Sequence, residues 1–261
     1  MMSSLLEKGR AGERLEGCDV IDMHGHLGRS DILIPGSSPE GLVRTMDRLG
    51  VKMIVCSHLG SNPILRRLGN DRVLAAMKEY PGRIKGYVRL WPHSQDWVRT
   101  ETKRCFDNGF VGIKLHTGCG FPYDDPAYTP AIEAAAERRM PVLFHTWCGE
   151  ELTQIRKLAE KHPGASFLVA HAGAEKEEPY IQMAKDYENI YLELCLSLAP
   201  RGLIERLVES VGVGKVVWGS DAVFLTMPQQ IGRVLGAHLT EDEKKQILSE
   251  NAQRILSRIR K

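Results

Sequence analysis

Eight short apolar segments, each followed by a longer amphipathic one, run through almost the whole of this 261-residue chain. The first segment is VIDMH, which starts at residue 20, and the last is KVVWGSD, which ends at residue 221. Short continuous apolar runs are typical of strands that are covered on both faces, as in a parallel sheet. The longer segments repeat apolar residues with the period of a helix. The alternation therefore predicts an α/β fold with eight consecutive strand–helix units.

Several of the predicted helices carry recognisable end signals. Ser38, followed by a proline, is the predicted N-cap of the helix after the first strand, and Gly50 ends that helix. Thr129 is the predicted cap of the helix in the middle of the chain. Thr240 and Glu243 have the spacing of a capping box before the C-terminal helix.

No linker rich in proline, glycine or serine divides the chain, and roughly 250 residues is the usual length of one closed (β/α)₈ barrel. An open, doubly wound sheet is the alternative, but no glycine-rich phosphate-binding motif follows the first strand. We therefore predict a TIM barrel over residues 18–261, with its functional site at the C-terminal ends of the strands. Residues 1–17 are predicted to be a solvated N-terminal leader.

The composition indicates which kinds of partner the protein is expected to bind. The net charge is only +2, which does not favour a nucleic-acid groove or a membrane surface. No apolar run reaches the roughly 20 residues of a membrane span, and the charged N-terminus lacks the apolar core of a signal peptide. The six cysteines show no paired spacing, so we expect free thiols. These features predict a cytoplasmic protein that acts on a small molecule. They leave the number of subunits open, with a homodimer as one candidate assembly.

Most of the histidines stand where a predicted strand ends. The seven are His24, His26, His58, His93, His116, His145 and His171. Any one of them could be an ordinary hydrogen-bonded rim residue, but the ends of all strands meet at one rim of a barrel. The set therefore predicts a cluster of imidazoles around one opening.

Two of these histidines and one aspartate make a metal site the favoured interpretation. His24 and His26 are two residues apart, so their side chains point to the same side of a strand. Asp221 ends the eighth strand, which lies next to the first when a barrel closes. Nitrogen and carboxylate ligands with an open position for water are typical of catalytic metal sites.

The motifs IDMHGHLG, GIKLHTG, VLFHTW, FLVAHAG and VWGSD, in this order, resemble the metal-dependent amidohydrolase superfamily. The nearest branch is the amidohydrolase 2 group, which includes aminocarboxymuconate-semialdehyde decarboxylase and related hydrolases and hydratases. The similarity covers roughly residues 19–257, and the C-terminal ILSENAQRIL fits as well. The resemblance implies that His24, His26, His145 and Asp221 bind a divalent metal. It also implies that Asp221 takes a proton from the metal-activated water.

The same resemblance bears on two further residues. His171 is expected to polarise the substrate or hydrogen-bond the water in a one-metal enzyme, and to bind the second ion in a two-metal enzyme. Lys114 is either a carboxylated lysine that bridges two metals or a buried lysine paired with a carboxylate such as Glu193. We expect one metal, Zn²⁺, with Mn²⁺, Fe²⁺ and Ni²⁺ as alternatives.

The expected substrate-binding residues are His116, Arg89 and Trp147. Arg89 suits a substrate carboxylate through two parallel hydrogen bonds, although a rim ion pair is equally consistent with the sequence. Trp147 either lines the pocket or packs under a loop. Cys148 and Cys195 also fall near the opening and are interpreted as packing residues. The segment after the first strand, residues 27–41, is long enough for a partial lid.

Three functions are consistent with these features. The first is a metal-dependent hydrolase that activates water against an amide, ester or lactone of a small, carboxylated substrate. The second is a non-oxidative decarboxylase or a hydratase of an unsaturated or aromatic acid with the same metal site. The third is a barrel without catalytic activity that serves as a scaffold.

Overall fold

The computed structural model describes residues 4–28, 34, 37–60 and 66–260. Eight strands form one sheet in chain order, and each is hydrogen-bonded in parallel to the next. The strands are β1 (Val20–Leu27), β2 (Val51–His58), β3 (Ile84–Arg89), β4 (Gly112–Leu115), β5 (Pro141–Phe144), β6 (Ser166–Val169), β7 (Ile190–Glu193) and β8 (Val216–Val217).

Helices alternate with these strands and cover the outside of the sheet. They are α1 (Leu5–Ala11), α2 (Pro39–Leu49), α3 (Arg66–Glu79), α4 (Gln95–Asp107), α5 (Thr129–Glu137), α6 (Glu151–Lys161), α7 (Glu178–Asp186), α8 (Leu203–Val211), α9 (Met227–Gly236), α10 (Glu241–Lys245) and α11 (Asn251–Ser257). A π-helical turn, Gln246–Glu250, joins α10 to α11. Within the described ranges, no helix combines the length and the apolar character needed to cross a bilayer.

The sheet closes between its first strand and the segment that follows β8. The amide of Met23 donates to the carbonyl of Trp218 at 3.1 Å, and the amide of Asp221 donates to the carbonyl of His24 at 2.8 Å. A parallel bridge between Gly25 and Ala222 continues the pairing. The protein is thus a (β/α)₈ TIM barrel, as predicted. Regular strand geometry in β8 ends earlier than expected, four residues before Asp221.

The helix ends test the capping predictions. The Ser38 cap is confirmed, as is the capping box of Thr240 and Glu243. The prediction for Thr129 is wrong, because Thr129 is the first residue of α5 rather than its cap. A short 3₁₀ turn leads directly into α5, and Asp125 caps that turn instead by accepting from the amide of Ala127.

The segment before β1 packs against the barrel. Leu5 and Leu15 are buried, and α1 lies on α9. The amide of Leu5 donates to Glu241 Oε2 at 2.8 Å, and the amide of Leu15 donates to the carbonyl of Leu49 at 3.1 Å. The prediction of a solvated segment is therefore wrong for these leucines, which add apolar contacts to the outer layer of helices.

Alternation along the strands places polar side chains above an apolar interior. Leu143 of β5 belongs to the inner apolar cluster, together with residues of six other strands. His145 follows two positions later and therefore points to the same side of the strand. In β4, Ile113 and Leu115 pack in the outer cluster, so Lys114 between them points inward. The alternation of side chains along a strand therefore places His145 and Lys114 on the inner face of the barrel, toward its C-terminal mouth.

Candidate metal centre

Three buried side chains from opposite ends of the chain meet at the barrel closure. His26 Nε2 lies 3.0 Å from Asp221 Oδ1, and His24 Nε2 lies 3.4 Å from the same oxygen. One ligand atom from each residue lies within 4.8 Å of the others, so one ion could contact all three. The predicted convergence of the His-Gly-His motif with Asp221 is present in the structure.

The far nitrogens of the two histidines are held by other side chains. Glu193 Oε2 lies 3.0 Å from His24 Nδ1, and Ser57 Oγ lies 3.1 Å from His26 Nδ1. When its Nδ1 donates to Glu193, neutral His24 keeps its lone pair on Nε2, facing Asp221. Outer partners of this kind are usual for metal-binding histidines. The donor set therefore fits a divalent ion.

The ionisation of these groups also suits a cation. Burial lowers the pKa of His24 well below its usual value, and burial likewise lowers the pKa of His26. Burial by itself raises the pKa of Asp221, but His24, His26 and His171 together bring it well below its usual value. At neutral pH the site holds neutral imidazoles beside an ionised carboxylate, which is the protonation state that metal binding requires.

His145 reaches this centre through His171. His171 Nε2 lies 3.0 Å from His145 Nδ1, and His171 Nδ1 lies 2.9 Å from the carbonyl of Cys195. If His171 donates to that carbonyl, His145 must donate to His171, which leaves a lone pair on His145 Nε2. Among the described residues, no group of three close ligand atoms includes His145. The structure thus places His145 beside the centre and in contact with His171.

Two residues of the site have unusual backbone geometry. The φ angles of His171 and Asp221 are 59° and 54°, in the left-handed region that non-glycine residues rarely adopt. Such conformations cost free energy and are concentrated at functional sites. In this barrel the two left-handed residues follow β6 and β8, and their side chains point into the mouth.

Lys114 lies inside the barrel, against a histidine rather than a carboxylate. It is 1% exposed, and its Nζ is 2.8 Å from His24 Nε2. Burial lowers the pKa of Lys114 to about 8. Within the part of the chain that the structure describes, no carboxylate forms an ion pair with it. Glu193 instead contacts His24 and Cys195.

Cys195 belongs to the site, which the sequence interpretation as a packing residue did not capture. Its Sγ lies 3.1 Å from His24 Nδ1, 3.3 Å from His171 Nδ1 and 2.9 Å from Glu193 Oε2. The signal available in the sequence was its position two residues after Glu193, just beyond β7. The amide of Cys195 also donates to Glu193 Oε1 at 2.9 Å.

Two of the seven strand-end histidines do not join the cluster. His58 is adjacent to Ser57 on β2, and neighbouring side chains point to opposite faces. Since Ser57 faces His26, the ring of His58 lies against Gly69 of α3 in the helix layer. His93 is exposed, because β3 ends four residues before it. The prediction of seven clustered histidines is therefore wrong for these two.

The predicted substrate-binding residues surround the mouth. Arg89 is buried, and its Nη2 lies 3.8 Å from Cys119 Sγ. The His116 ring stacks on His145, with centroids 3.9 Å apart. The Trp147 ring is almost parallel to that of His145, at 9° and 6.4 Å, and the residue is 41% exposed. The segment interpreted as a partial lid lies partly outside the described residues.

Comparison with known proteins agrees with the fold and the motifs. The model of the Amidohydrolase family matches residues 21–258. No curated protein matches the sequence. The solved structure of 5-carboxyvanillate decarboxylase from Sphingomonas paucimobilis has a TM-score of 0.74 at 15% identity, covering 94% of this chain and 100% of that chain.

Two further structures share the fold. The 4-oxalomesaconate hydratase from Rhodopseudomonas palustris has a TM-score of 0.73 at 18% identity, covering 92% of this chain and 96% of that one. A dihydroxybenzoic acid decarboxylase from Polaromonas, with bound manganese and an inhibitor, has a TM-score of 0.73 at 16% identity, covering 92% and 97%. With a family model matched over most of its length, this chain belongs to the amidohydrolase family.

Proposed function

We propose that this protein is a metal-dependent lyase that removes CO₂ from a small, planar carboxylic acid. The proposed metal ligands are His24, His26, His145 and Asp221. Support comes from the convergence of three of these residues, the contact of His145 with His171, and the likeness to decarboxylases and a hydratase.

The main support for this proposal is the burial of Arg89. Among the described residues, no carboxylate forms an ion pair with Arg89, and its Nη2 contacts Cys119 Sγ at 3.8 Å. An unpaired buried guanidinium is costly, so such groups normally meet an anion. The planar fork of arginine binds a carboxylate through two hydrogen bonds. Arg89 and Lys114 together supply the positive charge that an anionic substrate needs.

Flat rings favour a planar substrate over a flexible one. The rings of His116 and His145 are stacked with an interplanar angle of 18°. The ring of Trp147 is nearly parallel to that of His145 and lies closer to the solvent. Aromatic faces stack favourably on conjugated rings. These residues are proposed as the wall against which the substrate lies, with its carboxylate directed to Arg89.

The proposed decarboxylation needs one residue that carries a proton, Asp221, next to a bound cation. A divalent ion held by these ligands would supply positive charge that orients the substrate and stabilises the negative charge that develops on it. Asp221 receives a proton from the substrate or from water and passes it to the carbon that bears the carboxylate. The bond to the carboxylate then breaks, its electron pair returns to the conjugated system, and CO₂ leaves. A ring nitrogen of His171 lies within 4.8 Å of an Asp221 oxygen, and His171 is proposed to keep that carboxylate oriented.

Hydrolysis is the second candidate. The side chains of Asp221 and His171 lie close together, as a proton acceptor and a hydrogen-bond donor would for attack by water on an amide, ester or lactone. A panel of aromatic and unsaturated acids, lactones and amides separates the two functions. CO₂ release from the acids supports the lyase, whereas acid release from lactones or amides with no CO₂ contradicts it. If the metal-loaded protein turned over neither the acids nor the lactones and amides, that result would support the scaffold hypothesis.

The identity of the ion remains a proposal. We propose Zn²⁺, with Mn²⁺, Fe²⁺ and Ni²⁺ as alternatives, and the manganese in the Polaromonas structure supports a divalent ion of this group. Elemental analysis of the purified protein, followed by reconstitution with each ion, identifies the metal that supports turnover. A homodimer and a cytoplasmic location likewise remain predictions.

A further inference from the structure

Arg89 stands at the last position of β3, where the sheet has already opened on one side. The register between β2 and β3 ends at Cys56 and Gly86, three residues before Arg89, whereas β4 still pairs with Arg89 through Lys114. On the side of β2, the main-chain groups of Arg89 therefore need partners outside the strand ladder, since buried backbone polar groups are normally hydrogen-bonded. A strand end without such partners would leave the base of the arginine side chain unfixed.

The side chain of Asn70, on α3, supplies both partners. Its Oδ1 accepts from the amide of Arg89 at 2.9 Å, and its Nδ2 donates to the carbonyl of Arg89 at 3.1 Å. Asn70 thus pairs with the main chain of Arg89 as a neighbouring strand would. The residue is fully buried, so water does not compete for these two hydrogen bonds.

A second acceptor fixes the direction in which the Asn70 amide is turned. Nδ2 also donates to Glu101 Oε1, at 2.8 Å, and an ionised carboxylate can only accept hydrogen bonds. The opposite orientation would set the amide oxygen against the Glu101 carboxylate and would lose both bonds to Arg89. In the orientation present, the oxygen and both hydrogens of the amide are bonded, so Asn70 is held as firmly as the strand end it supports.

We propose that Asn70 is a positioning residue that holds Arg89 in place for the carboxylate of the substrate. This inference rests on the proposed function, in which the Arg89 guanidinium meets that carboxylate. A guanidinium that binds through two parallel hydrogen bonds tolerates little displacement, and binding groups need neighbours that lock their geometry. Arg89 makes the contact with the substrate, and Asn70, in the helix layer, determines the point from which the arginine side chain extends.

Binding of benzoate to the zinc-loaded protein tests this inference without requiring turnover. Asn70→Ala removes both bonds to Arg89 and is expected to weaken benzoate binding by about 5- to 10-fold, at or below the loss expected from removing the guanidinium itself. Benzamide has the same ring and no charge, and its affinity is expected to stay within about twofold of wild type, because it forms no charge-assisted pair with Arg89. Isothermal titration measures both affinities. A general disturbance of the mouth would weaken both ligands alike.

A double-mutant cycle shows whether the effect passes through the arginine. In the Arg89→Gln background, Asn70→Ala is expected to change benzoate affinity by less than about twofold, because residues that act through one contact are not additive. Asn189→Ala is the matched control and is expected to leave benzoate binding unchanged. Asn189 is also buried and donates from Nδ2 to two carbonyls, those of Ala159 and His162, but it lies at the opposite end of the barrel, directly before β7.

Equal benzoate affinity of Asn70→Ala and wild type overturns the proposal, as do additive effects in the cycle, an equal loss for benzamide, or wild-type protein that binds no benzoate. If Asn70→Ala does not fold, hydrogen exchange of the wild-type protein decides. The amide of Arg89 is expected to exchange slowly while Asn70 holds it, and exchange as fast as in exposed loops refutes the inference. Absence of CO₂ release from the acid panel is a separate result, which removes the proposed function and leaves the benzoate comparison intact.

Discussion

Glu193 Oε2 lies 3.0 Å from Nδ1 of His24, and the two residues stand on β7 and β1, which are not neighbours in the sheet. Both side chains are essentially inaccessible to solvent. The contact spans β8, the one strand between them in the closed barrel, and determines which nitrogen of His24 faces Asp221. Orientation of the first motif histidine therefore depends on a carboxylate contributed almost 170 residues later in the chain.

Glu193→Gln is expected to weaken divalent-metal affinity by about 10- to 100-fold, the usual cost of losing an outer partner of a metal-binding histidine. The amide can no longer favour one ring nitrogen by charge. Isothermal titration of metal-free protein with Zn²⁺ measures the effect. Glu101→Gln is the control, because Glu101 is also buried but pairs with Arg104 on α4. Equal affinities of the Glu193 variant and wild type would contradict the assignment.

Asp221→Asn is expected to lower turnover by about 100- to 10,000-fold, the range for loss of a proton-transferring group, and to weaken metal binding. Asparagine is the informative replacement because it tolerates the left-handed backbone at this position better than alanine does. Turnover and bound metal are measured together on the same preparation. Exposed Asp47, paired with Arg83 at the surface, provides the control Asp47→Asn. Full activity of Asp221→Asn would remove this residue from the mechanism.

Arg89→Gln is expected to raise KM for a carboxylate substrate by about 10- to 100-fold, since a hydrogen bond to a charged group is worth roughly 1.5–3 kcal/mol. Steady-state kinetics with the best acid from the panel measures KM and kcat separately. Arg104→Gln is the control, because that guanidinium pairs with Glu101 and Asp71 away from the mouth. A KM within about twofold of wild type would show that Arg89 does not bind the substrate.

Lys114→Met is expected to change stability in a pH-dependent way. In the unfolded chain the lysine keeps its proton up to its ordinary pKa of 10.5, whereas burial lowers the folded-state pKa to about 8. Between these values the unfolded chain binds more protons, so wild-type stability gains with rising pH. The variant lacks this contribution, so its stability relative to wild type is greatest below pH 8 and declines toward pH 10.5.

The size of that change follows from the two pKa values, at about 1.4 kcal/mol for each unit of separation. Urea unfolding of metal-free wild-type and Lys114→Met protein near pH 7 and near pH 10 measures the difference in free energy of unfolding. Comparison of the two proteins at each pH cancels the titration of other groups. A stability difference that is the same at both pH values would show that Lys114 is not a buried titrating amine.

Much of the architecture was determined by the sequence alone. Strand and helix periodicities are local properties, so eight strand–helix units and the rim positions of His24, His26 and Asp221 follow from reading along the chain. The same holds for the Ser38 cap, which depends only on its neighbours in sequence. The metal motif could be predicted because barrel topology converts strand ends into one rim.

Tertiary structure decided the contacts that join strands not adjacent in the sheet and those that depend on where a strand stops. The early end of β3 leaves His93 in solvent, and the opposed directions of Ser57 and His58 send one side chain to the site and the other to α3. Cys195 meets His24 because closure of the barrel leaves only β8 between β7 and β1. Such contacts depend on the distance between strands in space, which cannot be read from the spacing of residues along the chain.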